Sequence, residues 1–104
     1  MKRRLVWSRA GLDDLKRTLS FIARDDKKAA RKVRMAIDRA ARLLADHPTG
    51  RRGRVSGTYE KSVLGLPYVI AYALTADRGG AETLVILRVI HTRRDWKPGQ
   101  WPSP

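Results

Sequence analysis

The stretch LVILRVIHTRRDW, residues 84–96, decides the fold, because its first part has the β-branched and aliphatic density that is typical of a strand. Both alternating sets of side chains in residues 83–91 are mainly apolar, as expected where both faces of a sheet are covered. The sequence therefore predicts a central strand over residues 83–91. A histidine ends this strand, and a basic segment that closes on a tryptophan follows it.

Two ionisable residues, Arg88 and His91, interrupt the apolar strand near its end. Strict alternation puts Arg88 on the face of Leu84 and Ile86, and His91 on the other face with Val89. A β-bulge at the end of the strand could bring the two side chains together. The pair has two interpretations: a functional site, or a structural pair in which the arginine extends its charge to solvent and the histidine bonds to backbone.

The first half of the chain predicts a short strand over residues 4–7 and then two helices. Ser8 is suited to cap the first helix, and Asp25-Asp26 supplies the cap of the second. Apolar residues recur at helical spacing in both segments, which predicts two core-facing stripes that form a helical hairpin. The first stripe is Leu12, Leu15, Leu19 and Ile22, and the second is Ala30, Val33, Ile37, Ala41 and Leu44.

The second half predicts three strands in sequence order. A strand within residues 55–64 is followed by a turn at Gly65-Leu66-Pro67, and residues 68–74 form a covered strand beside it. Gly79-Gly80 permits a tight reversal into the strand over residues 83–91. The chain thus reads β-α-α-β-β-β, an α+β fold with the helical hairpin on one face of a largely antiparallel four-stranded sheet. We expect residues 1–104 to form one domain, with residues 97–104 an irregular tail.

Length and composition narrow the class of protein. The chain has 104 residues and no cysteine, which fits one domain and excludes disulfides and thiolate metal sites. No apolar run approaches the roughly 20 residues that cross a bilayer, so we expect a cytoplasmic protein with no membrane partner. The sequence indicates no metal site and no cofactor.

The net charge is +13, and residues 1–54 carry most of the basic side chains. A surface of this charge attracts polyanions such as RNA or DNA, or an acidic protein segment, by long-range attraction and counterion release. The alternative is that these side chains are solvated helix faces that only keep the protein soluble.

Several segments of the chain resemble the RelE/ParE superfamily of type II toxin–antitoxin toxins over nearly its whole length. They are WSRAGLDDL, AARKVRMAI, LLADHPTGRRGRVSGTYEKSV, PYVIAY and LVILRVIHTRRDW. The resemblance implies a small basic toxin that arrests growth, including the plasmid-stabilising kind, and that a cognate antitoxin neutralises. It also implies that the toxin–antitoxin complex binds operator DNA and represses its own operon.

The superfamily has two branches with different targets. RelE-like toxins cut mRNA in the ribosome without a metal, and ParE-like toxins inhibit DNA gyrase. As an mRNA interferase, the chain would need a base, a proton donor and a cation, for which Glu60, His91 and Arg88 are the candidates. Tyr59 is a candidate to stack on an RNA base. The basic surface and the Glu60–His91 pair favour ribosome-dependent mRNA cleavage as the first hypothesis.

Two departures from the RelE pattern support the alternative, gyrase inhibition. Val69 stands where RelE-like enzymes usually have an arginine, and Glu60 stands where RelE has a catalytic lysine. A third reading is a non-catalytic DNA-binding partner or an inactive relative. The residues predicted to bind RNA or a protein partner are Arg51, Arg52, Arg54, Tyr59, Lys61, Arg93, Arg94 and Trp96.

Overall fold

The computed structural model of the chain describes residues 3–93. The predicted residues Arg94 and Trp96 and the predicted tail over residues 97–104 lie outside this part. Two helices and five strands follow one another along the chain. They are β1 (Arg4–Trp7), α1 (Arg9–Ala23), α2 (Lys27–Asp46), β2 (Arg51–Arg52), β3 (Tyr59–Ser62), β4 (Tyr68–Ala76) and β5 (Glu82–His91).

Both helices begin at the predicted caps. The Ser8 hydroxyl accepts a hydrogen bond from the Gly11 N–H, and the Asp26 carboxylate accepts one from the Ala29 N–H. The predicted stripe of α2 is buried along its whole length. The stripe of α1 is only partly buried, and Leu12 is 39% exposed. The prediction that Leu12 belongs to the core is therefore wrong, because this turn of α1 lies at the rim of the helix pair.

The strands form one mixed sheet in the order β1-β5-β4-β3-β2. β1 pairs with β5 in parallel, and the other three pairings are antiparallel. The α+β class and the element order are confirmed, and β5 is an interior strand as predicted. The sheet has five strands rather than four, because two residues of the basic loop, Arg51 and Arg52, pair with β3. The strand predicted within residues 55–64 begins only at Tyr59, because residues 54–57 form a turn in which Gly57 has a φ of 82°.

The core lies between α2 and one face of the central strands. Its sheet side consists of buried residues from β4 and β5, namely Ile70, Tyr72, Leu84, Ile86 and Val89. Their neighbours Val69, Ala71 and Ile90 alternate with them and are also buried. The prediction that both faces of the sheet are covered at these strands is confirmed.

The start of α1 lies directly against β5. A Cβ atom at Gly11 would come within 2.8 Å of the Ile86 carbonyl oxygen, so only glycine permits this approach. Because Gly11 contacts β5 so closely, the next turn of α1 lies along the edge of β5. In the part of the chain that the structure describes, no helix is long and apolar enough to cross a membrane.

Candidate functional site

A β-bulge decides where the two polar residues of β5 lie. Ala71 of β4 pairs with Arg88, whereas the next residue, Tyr72, pairs with Ile86, so one residue of β5 is left over between them. Beyond the bulge the alternation is reversed. Arg88 leaves the face of Ile86 and joins the face opposite the core that α2 covers. His91 lies on the helix-facing side, so the bulge does not bring the two together.

Arg88 is engaged by a buried carboxylate of α1. Its Nε donates to Asp14 Oδ2 and its Nη2 donates to Asp14 Oδ1, both at 2.8 Å. The exposed fraction is 13% for the Arg88 side chain and 5% for Asp14. Two parallel bonds between an arginine and a carboxylate are strong and directional. Removal of either side chain leaves the other charge buried and unpaired. This geometry supports a structural role for Arg88, but the predicted extension of its charge to solvent is wrong, because Asp14 binds the guanidinium in a largely buried position.

The same region completes the edge of β5 where β1 stops. β1 pairs with β5 only as far as Trp7, opposite Ile86. From there the Ser8 hydroxyl donates to the Leu87 carbonyl at 3.1 Å, and Asp14 Oδ2 accepts the Val89 N–H at 3.0 Å. These bonds satisfy two backbone groups of β5 that lie beyond its last residue paired with β1. Asp14 thus replaces a strand partner and holds Arg88 at the same time.

Glu60 is engaged in a similar way at the other edge of the sheet. Its Oε2 accepts bonds from Arg54 Nε at 2.9 Å and from the Arg54 backbone N–H at 2.8 Å. Its Oε1 accepts a bond from Arg54 Nη2 at 3.1 Å. The Glu60 side chain is 4% exposed. Because Arg54 lies in the loop before β3, these bonds attach that loop to the sheet. The structural role of the Arg54–Glu60 pair is therefore to fix the conformation of this loop.

The surroundings of Glu60 stabilise its charged form. Burial alone raises the pKa of Glu60, but the hydrogen bonds from Arg54 and the charges of Arg54 and Arg51 outweigh burial. The pKa is therefore held below its ordinary value of 4.5. A general base at neutral pH works best with a pKa near the working pH, so this environment makes Glu60 a poor proton acceptor.

His91 lies at the end of β5 and is half-buried. Its ring meets the Tyr68 ring edge-on, with 5.4 Å between the ring centres. Its Nδ1 accepts a hydrogen bond from the Arg93 N–H at 3.2 Å. The other ring nitrogen is the one that would act in proton transfer.

The three predicted catalytic residues do not form one site. Glu60, Ala71 and Arg88 lie in one row across three strands, and both ionisable residues are on the face opposite the core that α2 covers. His91 is on the opposite face. Two strand spacings of about 4.8 Å and three residue steps of about 3.3 Å put about 14 Å between the Cα atoms of Glu60 and His91.

The predicted binding residues occupy several surfaces. Tyr59 stacks on Tyr72 with 5.5 Å between ring centres and 24° between planes, so one face of the predicted base-stacking ring is occupied. Arg51, Arg52 and Arg93 are exposed, and Lys61 is half-buried. Within residues 3–93, no three His, Asp or Glu side chains lie close enough together to hold a metal ion.

Exposed apolar side chains mark two grooves beside α2 that sequence reasoning did not predict. The α2/β3 groove, of about 310 Å³, is lined by Ala40, Leu43, Lys61 and Leu64 among others, and Leu64 is 98% exposed. The α1/α2 groove, of about 450 Å³, is lined by Trp7, Leu12, Leu15, Arg34, Met35, Asp38 and Arg42. Apolar side chains that are left in solvent and rimmed by cations are typical of a protein-binding surface.

Comparison with known families identifies the chain. The profile of the family described as ParE toxin of type II toxin-antitoxin system, parDE, matches residues 5–96. The chain belongs to the ParE toxin family. Membership makes it the toxin of a type II toxin–antitoxin module, and the partner of a ParE toxin in such a module is an antitoxin. Within the RelE/ParE superfamily, the chain is thus assigned to the ParE branch.

Two relatives agree with this ParE assignment. The Sinorhizobium fredii protein named "Putative toxin Y4kP" is 32% identical over 96 residues, which cover 91% of this chain and 94% of the relative. A solved structure titled "Chromosomal ParDE TA system from P. aeruginosa" has the same fold, with a TM-score of 0.74. The identity to that structure is 18%, and the match covers 86% of this chain and 96% of the other.

Sequence reasoning missed Asp14, the residue that explains Arg88 in this ParE toxin. A signal was present, because Asp14 follows Gly11 by three residues and therefore shares the buried side of α1 with it. An acidic residue on the buried side of a helix needs a cationic partner. The only arginine in the apolar part of β5 was available for that role.

Proposed function

We propose that this ParE toxin arrests growth by binding and inhibiting DNA gyrase in the cytoplasm, and that it does not cleave mRNA. Membership of the ParE family supports this choice between the two branches of the superfamily. The separation of the predicted catalytic residues supports it independently, and it is the observation that carries the proposal.

Metal-free RNA cleavage requires a base, an acid and a cation around one phosphate. Arg88 is bound to Asp14, and Glu60 is bound to Arg54 with a lowered pKa. His91 faces the other side of the sheet from both. No small rotamer change joins all three groups, because the sheet stands between His91 and the other two, which are each held by their own partner.

The gyrase-binding surface in this proposal is the basic segment after β5. Arg93 is exposed and begins this segment, which continues in the sequence with Arg94 and ends at Trp96. Arginine and tryptophan are enriched among the residues that dominate protein interfaces. His91 borders the same segment and is expected to contribute little.

The grooves beside α2 are proposed as the antitoxin site. The α2/β3 groove combines the exposed apolar side chains of Leu43 and Leu64 with the cation of Lys61. An amphipathic acidic segment complements that surface in both shape and charge. The module then represses its operon through operator DNA that the antitoxin complex binds.

Two assays with the same toxin preparation distinguish the targets. The full chain is added to gyrase with relaxed plasmid and ATP, and separately to ribosomes that translate a defined message. We expect supercoiling to stop or cleaved DNA to accumulate, while the message stays intact. Cuts in ribosome-bound message with normal supercoiling would instead establish the RelE-like mechanism, with His91→Ala and Glu60→Ala as the variants to test first.

A charge-matched pair of variants tests the proposed surface. Arg93→Glu is expected to weaken gyrase inhibition by tenfold or more, since about 1.4 kcal/mol of lost interface energy corresponds to that factor. Arg78→Glu makes the same charge change on the exposed loop at the other end of β5 and should leave inhibition unchanged. Equal loss in both variants would argue against this surface.

A similar pair tests the antitoxin groove. Leu64→Asp is expected to weaken binding of the product of the reading frame next to the toxin gene, because it puts a negative charge into an apolar groove. Phe21→Asp alters another exposed apolar residue, 70% exposed against 98% for Leu64, on α1, and Phe21 does not line that groove. If Phe21→Asp weakens antitoxin binding as much, the groove assignment fails.

A further inference from the structure

The basic residues of α2 are unevenly distributed along the helix. The segment around its start, here named the hairpin cluster, has six exposed cations: Arg24, Lys27, Lys28, Arg31, Lys32 and Arg34. Asp25 and Asp26 lower its net charge to +4. The second half of α2 has Asp38, Arg39, Arg42 and Asp46, so its net charge is zero.

The cations of the hairpin cluster are not used to hold the fold. Among residues 3–93, the five ion pairs of the structure involve none of these six side chains. In the second half of α2, by contrast, Arg42 donates to Asp38 at 2.9 Å. Asp26 accepts the Ala29 N–H as the cap of α2, so its charge is directed at the helix end. The cluster is therefore an exposed positive surface of net charge +4 whose six cations form no ion pair among residues 3–93.

The surface of the cluster is polar as well as positive. The buried residues of this turn are Ala30 and Val33, which face the core. No large apolar side chain is exposed within residues 24–34; the nearest in sequence are Phe21 on α1 and Met35, which directly follows Arg34. Interfaces with proteins have an apolar centre, whereas interfaces with nucleic acids are more polar and much more positive. Arg34 lies at the boundary, because it also lines the α1/α2 groove. The other five cations of the cluster have the second composition, and the grooves have the first.

We infer that the hairpin cluster binds the phosphate backbone of duplex DNA, so that the toxin contacts DNA as well as gyrase. Residues 27–34 of α2 span about 10 Å at about 1.5 Å per residue. Duplex DNA presents about one charge per 1.7 Å of axis, which is about six phosphates over that length. This inference rests on the proposed function, because gyrase is the enzyme that would bring the toxin to DNA.

The test compares two triple variants that each lose three positive charges. Lys28→Ala/Arg31→Ala/Lys32→Ala removes half of the hairpin cluster. Lys16→Ala/Arg39→Ala/Arg78→Ala removes three exposed cations elsewhere. Alanine is the best helix former, and the altered side chains are exposed, so both proteins should fold and melt as the original chain does.

The measurement is binding of the full chain to a labelled random-sequence duplex of about 30 base pairs across about 50 to 300 mM salt. Neutralisation of each phosphate contributes about 0.9 to the salt slope, so the cluster variant should lose about 2 to 3 from that slope. Its affinity at about 100 mM salt should fall at least tenfold. The control variant should change the slope by less than 1.

Three outcomes would overturn the inference. One is equal weakening in both triple variants, which would mean that diffuse net charge attracts the DNA. Another is tighter binding to single-stranded or duplex RNA of the same length, which would assign the cluster to RNA. The third is unchanged DNA affinity in the cluster variant together with slower association of the antitoxin, which would assign the cluster to the acidic partner.

The gyrase assay separates this inference from the proposed function. If the original chain inhibits gyrase and the cluster variant keeps its DNA affinity, the inference fails and the function stands. If the original chain binds DNA through the cluster but leaves gyrase active, the inference stands and the function fails.

Discussion

Two arginine–carboxylate pairs hold opposite edges of the same sheet, and they differ in reach and burial. Asp14 and Arg88 lie 74 residues apart, with side chains 5% and 13% exposed. Glu60 and Arg54 lie six residues apart, with side chains 4% and 31% exposed. The first pair connects α1 to β5, which are distant in the sequence. The second pair connects the loop before β3 to β3 itself.

The comparison shows why an ionisable residue in an apolar strand need not be catalytic. When both side chains of an ion pair are buried, removal of one leaves the other charge unpaired and without water to solvate it. A pair with a partly exposed arginine can let water replace the lost contact. The first pair should therefore dominate stability, and the second should act on its own loop.

The largest effect is expected for Asp14→Ala. The change removes the carboxylate that holds the Arg88 guanidinium and accepts the Val89 N–H, so the free energy of unfolding should fall by about 3–5 kcal/mol. Urea denaturation measures it. Asp13→Ala, at the exposed neighbouring position, is the control and should stay within about 0.5 kcal/mol of the original chain. Equal effects at both positions would refute the account.

Arg88→Ala should lower stability by a similar amount, because it leaves the Asp14 carboxylate buried and unpaired. Loss of toxicity in this variant would then follow from loss of the fold. The double variant Asp14→Ala/Arg88→Ala should be more stable than the sum of the single changes indicates, since the second change removes a charge already stranded. Strict additivity in a double-mutant cycle would mean that the two side chains do not depend on each other.

A smaller loss, about 1–3 kcal/mol, is expected for Glu60→Gln, which keeps the shape but loses the charge that Arg54 binds. The effect should be concentrated in residues 53–58. Hydrogen exchange of the Arg54 amide should accelerate more than that of the central β4 amides. Uniform acceleration across the sheet would show that this pair, too, supports the whole fold.

Acid should remove the contribution of Glu60 selectively. The folded state holds the pKa of Glu60 below its ordinary value of 4.5, so the ionised carboxylate stabilises the fold above that pH. The stabilisation is lost as the pH falls from about 4.5 through the lower, folded pKa. The stability difference between the original chain and Glu60→Gln should therefore be constant near neutral pH and shrink in acid. A difference that grows in acid would contradict the direction of the pKa shift.

The smallest effect is expected for His91→Ala. The half-buried ring makes an edge contact with Tyr68, worth about 0.5–1.5 kcal/mol, and forms no part of either ion pair. The melting temperature should fall by about 2–7 °C, and gyrase inhibition should persist. If inhibition disappears while the melting temperature holds, His91 belongs to the functional surface and not to the sheet.

The amino-acid sequence determined the elements of this protein and their order. Helix caps at Ser8 and Asp26, the buried stripe of α2, and the apolar runs of β4 and β5 are local patterns, because each depends on residues a few positions apart. The quoted segments also sufficed to indicate the superfamily, of which the ParE family is a branch.

The tertiary structure alone decided which faces and partners the polar residues have. A single extra residue of β5 reverses the alternation, because side chains on a strand repeat with a period of two, and the sequence carries no mark of it. The pairing of β2 with β3, the exposure of Leu12 and the bond between Asp14 and Arg88 likewise depend on packing between distant segments. Local periodicity gives each element its preferred shape, but the register between elements is fixed only when all of them pack together.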